Sequence, residues 1–170
     1  MFSIKLTISG AFLMAAVLTP ICALAGNGGR PPAMPEEAVQ NQQGMAHFHY
    51  GYYKLIPRGR RSEAGRQMDL AEEAFLDALE INPGYVEARR NLARLYYLRG
   101  KFEEAAGEYG VVIELAPGDL DSYVQLALAQ TEAGNFDGAI HTLETAREQT
   151  MDERILRQLD DYIEKIRRGE

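Results

Sequence analysis

The sequence predicts an all-α fold, a stack of antiparallel helix pairs closed by a final capping helix, and three observations carry that reading. The first is a period of 34 residues. Pro83-Gly84 recurs as Pro117-Gly118, Gly100 as Gly134, Phe102 as Phe136, Ala105 as Ala139 and Leu92 as Leu126. Matches held in one register mark a unit the length of a helix hairpin, and such units stack because none buries its apolar face alone. The second is a stripe of apolar residues, Ile155, Leu156, Leu159, Tyr162, Ile163 and Ile166, which advances in steps of three and four as a helix requires. The third is that no alternating strand-type run interrupts the pattern from Glu36 onward, in a chain rich in alanine, leucine, glutamate and arginine.

The first 25 residues read differently. Met1 to Lys5 carries one positive charge, the apolar stretch Leu6 to Leu18 follows, Pro20 breaks it, and Ala23-Leu24-Ala25 places small residues before a cleavage point. This three-part order is that of a secretory signal peptide cut after Ala25. The alternative is an uncleaved anchor, since Leu6 to Ala25 is uncharged over about the minimum membrane span. Cys22 is the one cysteine and lies in the leader, which excludes a disulfide framework or a thiol nucleophile from the mature chain. Thr19-Pro20-Ile21 before it fits a lipidation signal badly. Residues 26–36, with Gly26, Gly28, Gly29, Pro31, Pro32 and Pro35, form a flexible linker, and 37–170 the helical domain. The chain carries a net charge of -7, which argues against non-specific nucleic-acid binding.

The repeat resembles the tetratricopeptide repeat, in exported bacterial-type form given the leader. In residues 86–119 the pattern reads Leu92-Ala93, Tyr96, Gly100, Ala105, Tyr109 and Pro117; in 120–153 it reads Tyr123, Leu126-Ala127, Gly134, Ala139, Leu143 and Ala146, with Met151 where the closing proline belongs. A first repeat, approximately 44–85, shows its second helix through Ala71, Phe75, Ala78 and Pro83. Strict counting puts its first-helix small residue near position 59; Gly51, after Tyr50, is the better candidate, with an insertion of about eight residues in 57–65. Residues 152–168, opened by Asp152 as a helix cap, complete the stack. The resemblance implies a helix-hairpin solenoid of about three repeats with a concave groove lined by the first helix of each pair.

The resemblance also implies where a ligand lies: along the groove positions of those first helices. They are Glu87, Arg90, Arg94, Tyr97 and Leu98 in the second repeat, and Asp121, Val124, Leu128, Thr131 and Glu132 in the third. In the first, with Gly51 setting the register, they are Met45, Phe48, Tyr52, Leu55 and Ile56. The candidate protein-binding residues are accordingly Phe48, Tyr52, Glu87, Arg90, Arg94, Tyr97, Val124 and Leu128. Two arginines beside aromatic and aliphatic surface suit a peptide bearing an acidic group or a C-terminal carboxylate. The bland alternative is that Arg90 and Arg94 are solvated or paired with nearby acids. Asp121 and Gln125 stand where the family's chaperone-binding members want basic residues, so a full carboxylate clamp is not expected.

Other constellations carry less. His47 and His49, two apart on a helix, face opposite ways and cannot share one ion, so no metal and no cofactor is expected. Phe48, Tyr50, Tyr52 and Tyr53 supply core, an exposed aromatic surface, or both. Arg58, Arg60, Arg61 and Arg66 form a basic patch in an acidic chain, either a contact for lipid headgroups or an acidic partner, or a solvated loop. No phosphate loop, nucleophile elbow or zinc-protease motif is present, so the chain reads as no enzyme. The expected function is a non-catalytic adaptor or assembly factor that binds a protein or peptide in the periplasm, within an envelope complex. The alternatives are a self-associating scaffold, a homo-oligomer, and an accessory held at the inner membrane by an uncleaved N-terminal helix.

Overall fold

A computed structural model of the chain describes residues 33–169; the leader, Cys22 and most of the Gly/Pro-rich linker lie outside the described residues. Among the described residues every regular element is helical: α1 Glu36–His49, α2 Arg61–Ile81, α3 Val86–Leu98, α4 Phe102–Leu115, α5 Leu120–Glu132, α6 Phe136–Glu148 and α7 Glu153–Arg168. A π-helical turn at Tyr50–Leu55 and a 3-10 turn at Ile56–Arg58 extend α1. The helices pair as α1/α2, α3/α4 and α5/α6, each pair packs on the next, and α7 closes the stack against α6. None is long and apolar enough to cross a membrane.

The 34-residue period has a backbone cause. Gly100 and Gly134 adopt φ of +73° and +80°, a left-handed conformation that favours glycine. It lets the next amide reach back into the helix: Lys101 N–H donates to Tyr96 C=O at 2.9 Å, and Asn135 N–H to Gln130 C=O at 2.7 Å. Both turns therefore stop a helix and satisfy its last carbonyls in one step. Gly59 does the same in the first hairpin, with φ +72° and Arg60 N–H donating to Leu55 C=O at 3.1 Å. The cap of α7 is also local, as Asp152 accepts from the Arg154 amide at 2.8 Å.

Each pair closes on a small residue that lets two helices approach. Ala93 of α3 and Tyr109 of α4 pack in one cluster with Leu126 of α5. Ala127 of α5 packs with Leu143 of α6, beside Leu159 and Ile163 of α7. In the first pair the close approach is at Gly44, where a Cβ would lie 2.5 Å from the ring of Phe75, a residue with no exposure. Phe75 stands 34 residues before Tyr109, so Gly44 is the counterpart of Ala93.

This corrects the register expected from the sequence. Gly51 makes a second, looser approach, its Cβ position 3.0 Å from Gln67 and 3.2 Å from the Ala64 carbonyl. The segment 57–65 is not an inserted loop, because α2 already begins at Arg61. Instead both arms of the first hairpin are lengthened. From Gly44 to Gly59 is eight residues more than from Ala93 to Gly100, and from Gly59 to Ala71 is seven more than from Gly100 to Ala105. Seven residues are two helical turns, so the antiparallel arms stay level. The eighth is absorbed by the π turn, which takes one extra residue per turn.

One polar junction fixes the α4–α5 turn. The Asp119 carboxylate accepts from Arg90 Nη2 and from the Ser122 hydroxyl, both at 2.7 Å. Burial works to raise the Asp119 carboxyl, but the Ser122 hydroxyl and the Arg90 guanidinium outweigh it and hold the carboxyl below its ordinary value. A carboxylate depressed on folding stabilises the native state above its unfolded pKa of about 3.9. That contribution is lost as pH falls through the lower folded value.

Two expectations follow from this packing. Gly44→Ala overpacks a sealed site at about 1–3 kcal/mol, less a helix gain of about 0.5–1 kcal/mol, so urea unfolding should show a net loss of about 1–2 kcal/mol. Gly110→Ala in α4 meets nothing within 4 Å and should stabilise by about 0.5–1 kcal/mol; equal signs for the two variants would refute the assignment of the joint. Asp119→Ala should lower the urea midpoint at neutral pH and flatten its decline on acidification below about pH 4. An acid limb unchanged by the substitution would show that the carboxylate contributes nothing to it.

Candidate functional site

The first helix of each later pair, α3 and α5, stands over the second helix of its hairpin and leaves a cleft between. A polar cleft of about 290 Å³ is lined by Arg90, Asn91 and Arg94 of α3, Tyr109 of α4, and Asp121 and Gln125 of α5. The buried Tyr109 phenol forms its floor, pushed up to about 12 by burial and then by the Asp121 charge, against the opposing pull of Arg94 and Arg90. It is a neutral hydroxyl at any ordinary pH.

The two arginines differ. Arg90 is committed to Asp119 at 2.7 Å, so the bland alternative of pairing holds for it, with Asp119 as the partner. Arg94 is exposed and has no acidic partner among the described residues. Its Nη2 donates to the Tyr53 hydroxyl at 3.3 Å, and its guanidinium carbon lies 5.5 Å from the centre of the Phe48 ring. The cleft therefore offers one available cation where two were expected, set beside the Asp121 carboxylate and the Gln125 amide. That arrangement can recognise a carboxylate at Arg94 together with backbone donors and acceptors nearby.

On the other side of α5 lies an apolar pocket of about 180 Å³, lined by Val124, Leu128 and Thr131 of α5, Leu143 of α6, and Tyr162 and Ile166 of α7, with Lys165 at its rim. Lys165 is held by Asp161 at 2.6 Å, so the pocket presents little charge. Val124 and Leu128 thus belong to a surface that the helices build jointly with α7. The sequence marked Tyr162 and Ile166 only as the stripe that seats the closing helix. Their second role was not visible, because it depends on how far α7 rotates over α6.

The remaining candidates lie elsewhere. Phe48 is 2% exposed and belongs to the first core cluster with Phe75 and Leu92, so it offers no surface to a ligand, although the Gly44 register still sets it at a groove position, that of Tyr97. Tyr52 stacks on it at 5.7 Å and packs against the same core, and Leu55 is buried. Glu87 is exposed at the start of α3. Tyr97 is half-buried, turned edge-on to Phe102 at 5.4 Å, and lines neither cleft nor pocket. Tyr53 and Tyr50 stay about half exposed, which divides the aromatic cluster between core and surface. His47 bonds Gln67 at 2.8 Å while His49 is exposed. Among the described residues no three acidic, histidine or cysteine side chains gather where they could hold a metal.

Comparison with known proteins agrees with this architecture. Two family models, each described as tetratricopeptide repeat, match residues 58–119 and 100–159, which jointly span about 60% of the chain. A human protein, tetratricopeptide repeat protein 6, is 28% identical over 104 residues, 61% of this chain but 18% of that protein. The chain thus spans about a fifth of that relative's length. Among solved structures, the TPR2B domain in the TPR2B-domain:pHsp70 complex of yeast Sti1 superposes with a TM-score of 0.59 at 18% identity, covering 79% of this chain and 98% of that one. The Sgt2 TPR domain from Aspergillus fumigatus gives 0.55 at 23% identity over 84% and 89%. YrrB, described as a TPR protein with an unusual peptide-binding site, gives 0.55 at 19% identity over 76% and 59%. At these identities the structural likeness speaks to fold, and with the family matches it permits one conclusion: the chain belongs to the tetratricopeptide-repeat family.

Proposed function

We propose that the chain is a non-catalytic interaction module that holds a segment of a partner protein across α3, α5 and α7. The observation that carries this is the pairing of two unlike sites on either side of α5: a polar cleft with Arg94 as its available cation, and an apolar pocket around Leu128. A segment with an acidic side chain or terminal carboxylate at Arg94 and an aliphatic side chain in the pocket matches both. Charge-assisted contact fixes register, and burial of the apolar side chain supplies affinity.

The neighbours support a peptide ligand by analogy. The Sti1 domain was solved as a complex with pHsp70, and the first TPR of Spaghetti (RPAP3), with a TM-score of 0.54 at 16% identity, was solved bound to an HSP90 peptide. Asp121 inside the cleft and Arg90 tied to Asp119 make a purely anionic site a poor description here. A mixed polar and apolar segment fits better. The leader read from the sequence supports the further proposal that this partner is met outside the cytoplasm, with the chain acting as an adaptor in an envelope complex.

Capture from a native envelope fraction, followed by calorimetry with a peptide from the captured partner, tests the reading. Losing one charge-assisted contact removes about 1.5–3 kcal/mol, so Arg94→Ala should weaken binding roughly tenfold to hundredfold. Leu128→Glu should weaken it at least comparably, and Arg157→Ala on the exposed side of α7 should leave it unchanged. A partner retained in full by an Arg94→Ala/Leu128→Glu variant would place the site elsewhere.

A further inference from the structure

The lengthened first hairpin has a consequence separate from the groove. Arg99, in the turn that joins α3 to α4, bonds Asp69 at 2.6 Å and Glu72 at 2.8 Å, and Lys101 lies 3.6 Å from Glu72. That turn is therefore level with Asp69–Glu72 on α2. The first helix of the pair, however, does not turn until Gly59, and α2 starts at Arg61, eight residues earlier than Asp69. At the helical rise this leaves the tip of the first hairpin overhanging its neighbour by about 12 Å.

The overhang is basic. Lys54, Arg58, Arg60, Arg61 and Arg66 stand there against one acid, Glu63, which pairs with Arg60. Lys54, Arg61 and Arg66 have no acidic partner among the described residues. The rest of the domain has the opposite sign, since residues 68–170 hold 11 basic and 22 acidic side chains. Arg61 and Arg66 do not serve the helix that carries them, because positive charge in the first turns of α2 opposes the helix dipole, whereas Arg58 closes the end of the first helix by donating to the Lys54 carbonyl at 3.0 Å. Ile56, 43% exposed, and Pro57 add apolar surface at the same tip.

From this geometry we infer that the tip of the first hairpin docks on an anionic lipid surface. A pocket of about 260 Å³ lies under the tip, where Ile56, Arg61 and Met68 face Leu98 and Arg99. Lys54, Arg58 and Arg66 do not line it, however, and a plane of headgroups meets the cations spread around the turn at once. Guanidinium groups pair with lipid phosphates, and Ile56 suits the interface between headgroup and acyl chain. The acidic body is repelled by the same surface, so the domain stands on its tip and keeps the α3/α5/α7 groove free in solution. Each basic residue close to such a surface raises partitioning about fivefold, and a net four charges give reversible, salt-sensitive binding.

Co-sedimentation of the full chain with vesicles tests this, comparing pure phosphatidylcholine with a mixture rich in phosphatidylglycerol. Wild type should bind the anionic vesicles and be released by salt. Arg58→Glu/Arg61→Glu/Arg66→Glu should lower that partition by about a hundredfold or more. These side chains are exposed, glutamate suits the start of α2 at positions 61 and 66 at least as well as arginine, and at position 58 only the exposed bond to the Lys54 carbonyl is lost, so circular dichroism should remain close to that of wild type. Arg154→Glu/Arg157→Glu, a charge reversal on α7, should change little. Equal binding by the triple variant, equal binding to neutral vesicles, or tip-dependent binding of polyglutamate without vesicle binding would each overturn the proposal.

Discussion

The close approach of two helices at one small residue governs this molecule. Gly44 against Phe75 and Ala93 beside Tyr109 let a first helix lie tightly on its partner, as Ala127 beside Leu143 does in the third pair. Everything else is arranged from these joints. The glycine turns hold the arms antiparallel, and the clusters between pairs form where one hairpin's apolar face meets the next. The stack has no single centre; each joint orders its own pair and the surface offered to the neighbour. That is why the first hairpin can grow by two turns on each arm without disturbing the pairs that follow.

The same arrangement separates two surfaces. Along α3, α5 and α7 the side chains that do not enter the joints line a cleft and a pocket on either side of α5. The neutral Tyr109 floor, the fixed Arg90–Asp119 pair and the available Arg94 make that surface polar but nearly balanced in charge. The overhanging tip carries the unbalanced positive charge instead. Groove and tip thus suit different contacts, a polypeptide segment at one and an anionic plane at the other.

The second and third repeats were legible because each of their marks answers to a backbone or packing need at fixed spacing. Gly100 and Gly134 must turn left-handed, Ala105 and Ala139 must be small, and Pro117 must stop a helix. The first repeat was harder. Its two candidate glycines, Gly44 and Gly51, are seven residues apart and so share a helix face. Periodicity alone cannot choose between them; contact with Phe75 does. Tyr52, Leu55 and Ile56 leave the groove positions in the Gly44 register, whereas Met45 and Phe48 keep them, at the places of Arg94 and Tyr97. The roles of Tyr162 and Ile166, and the difference between Arg90 and Arg94, depend on contacts across 29 or more residues of chain, which no local pattern encodes. The spacing that hid the first joint was itself a sign of lengthened arms, since a π turn with one extra residue is invisible to a count of helical period.

Amide hydrogen exchange across residues 64–67 tests the account most directly, because the lengthened α2 is what sets the joint, the register and the overhang. The Ala64 amide already donates to the Arg60 carbonyl at 2.9 Å, so the helix is closed from there onward. The account requires Ala64, Gly65, Arg66 and Gln67 to exchange at least about a hundredfold more slowly than an unstructured chain, together with the rest of α2. Exchange of these four amides at the free-chain rate, with protection beginning only near Met68, would mean an ordinary short hairpin with an inserted loop and would contradict it.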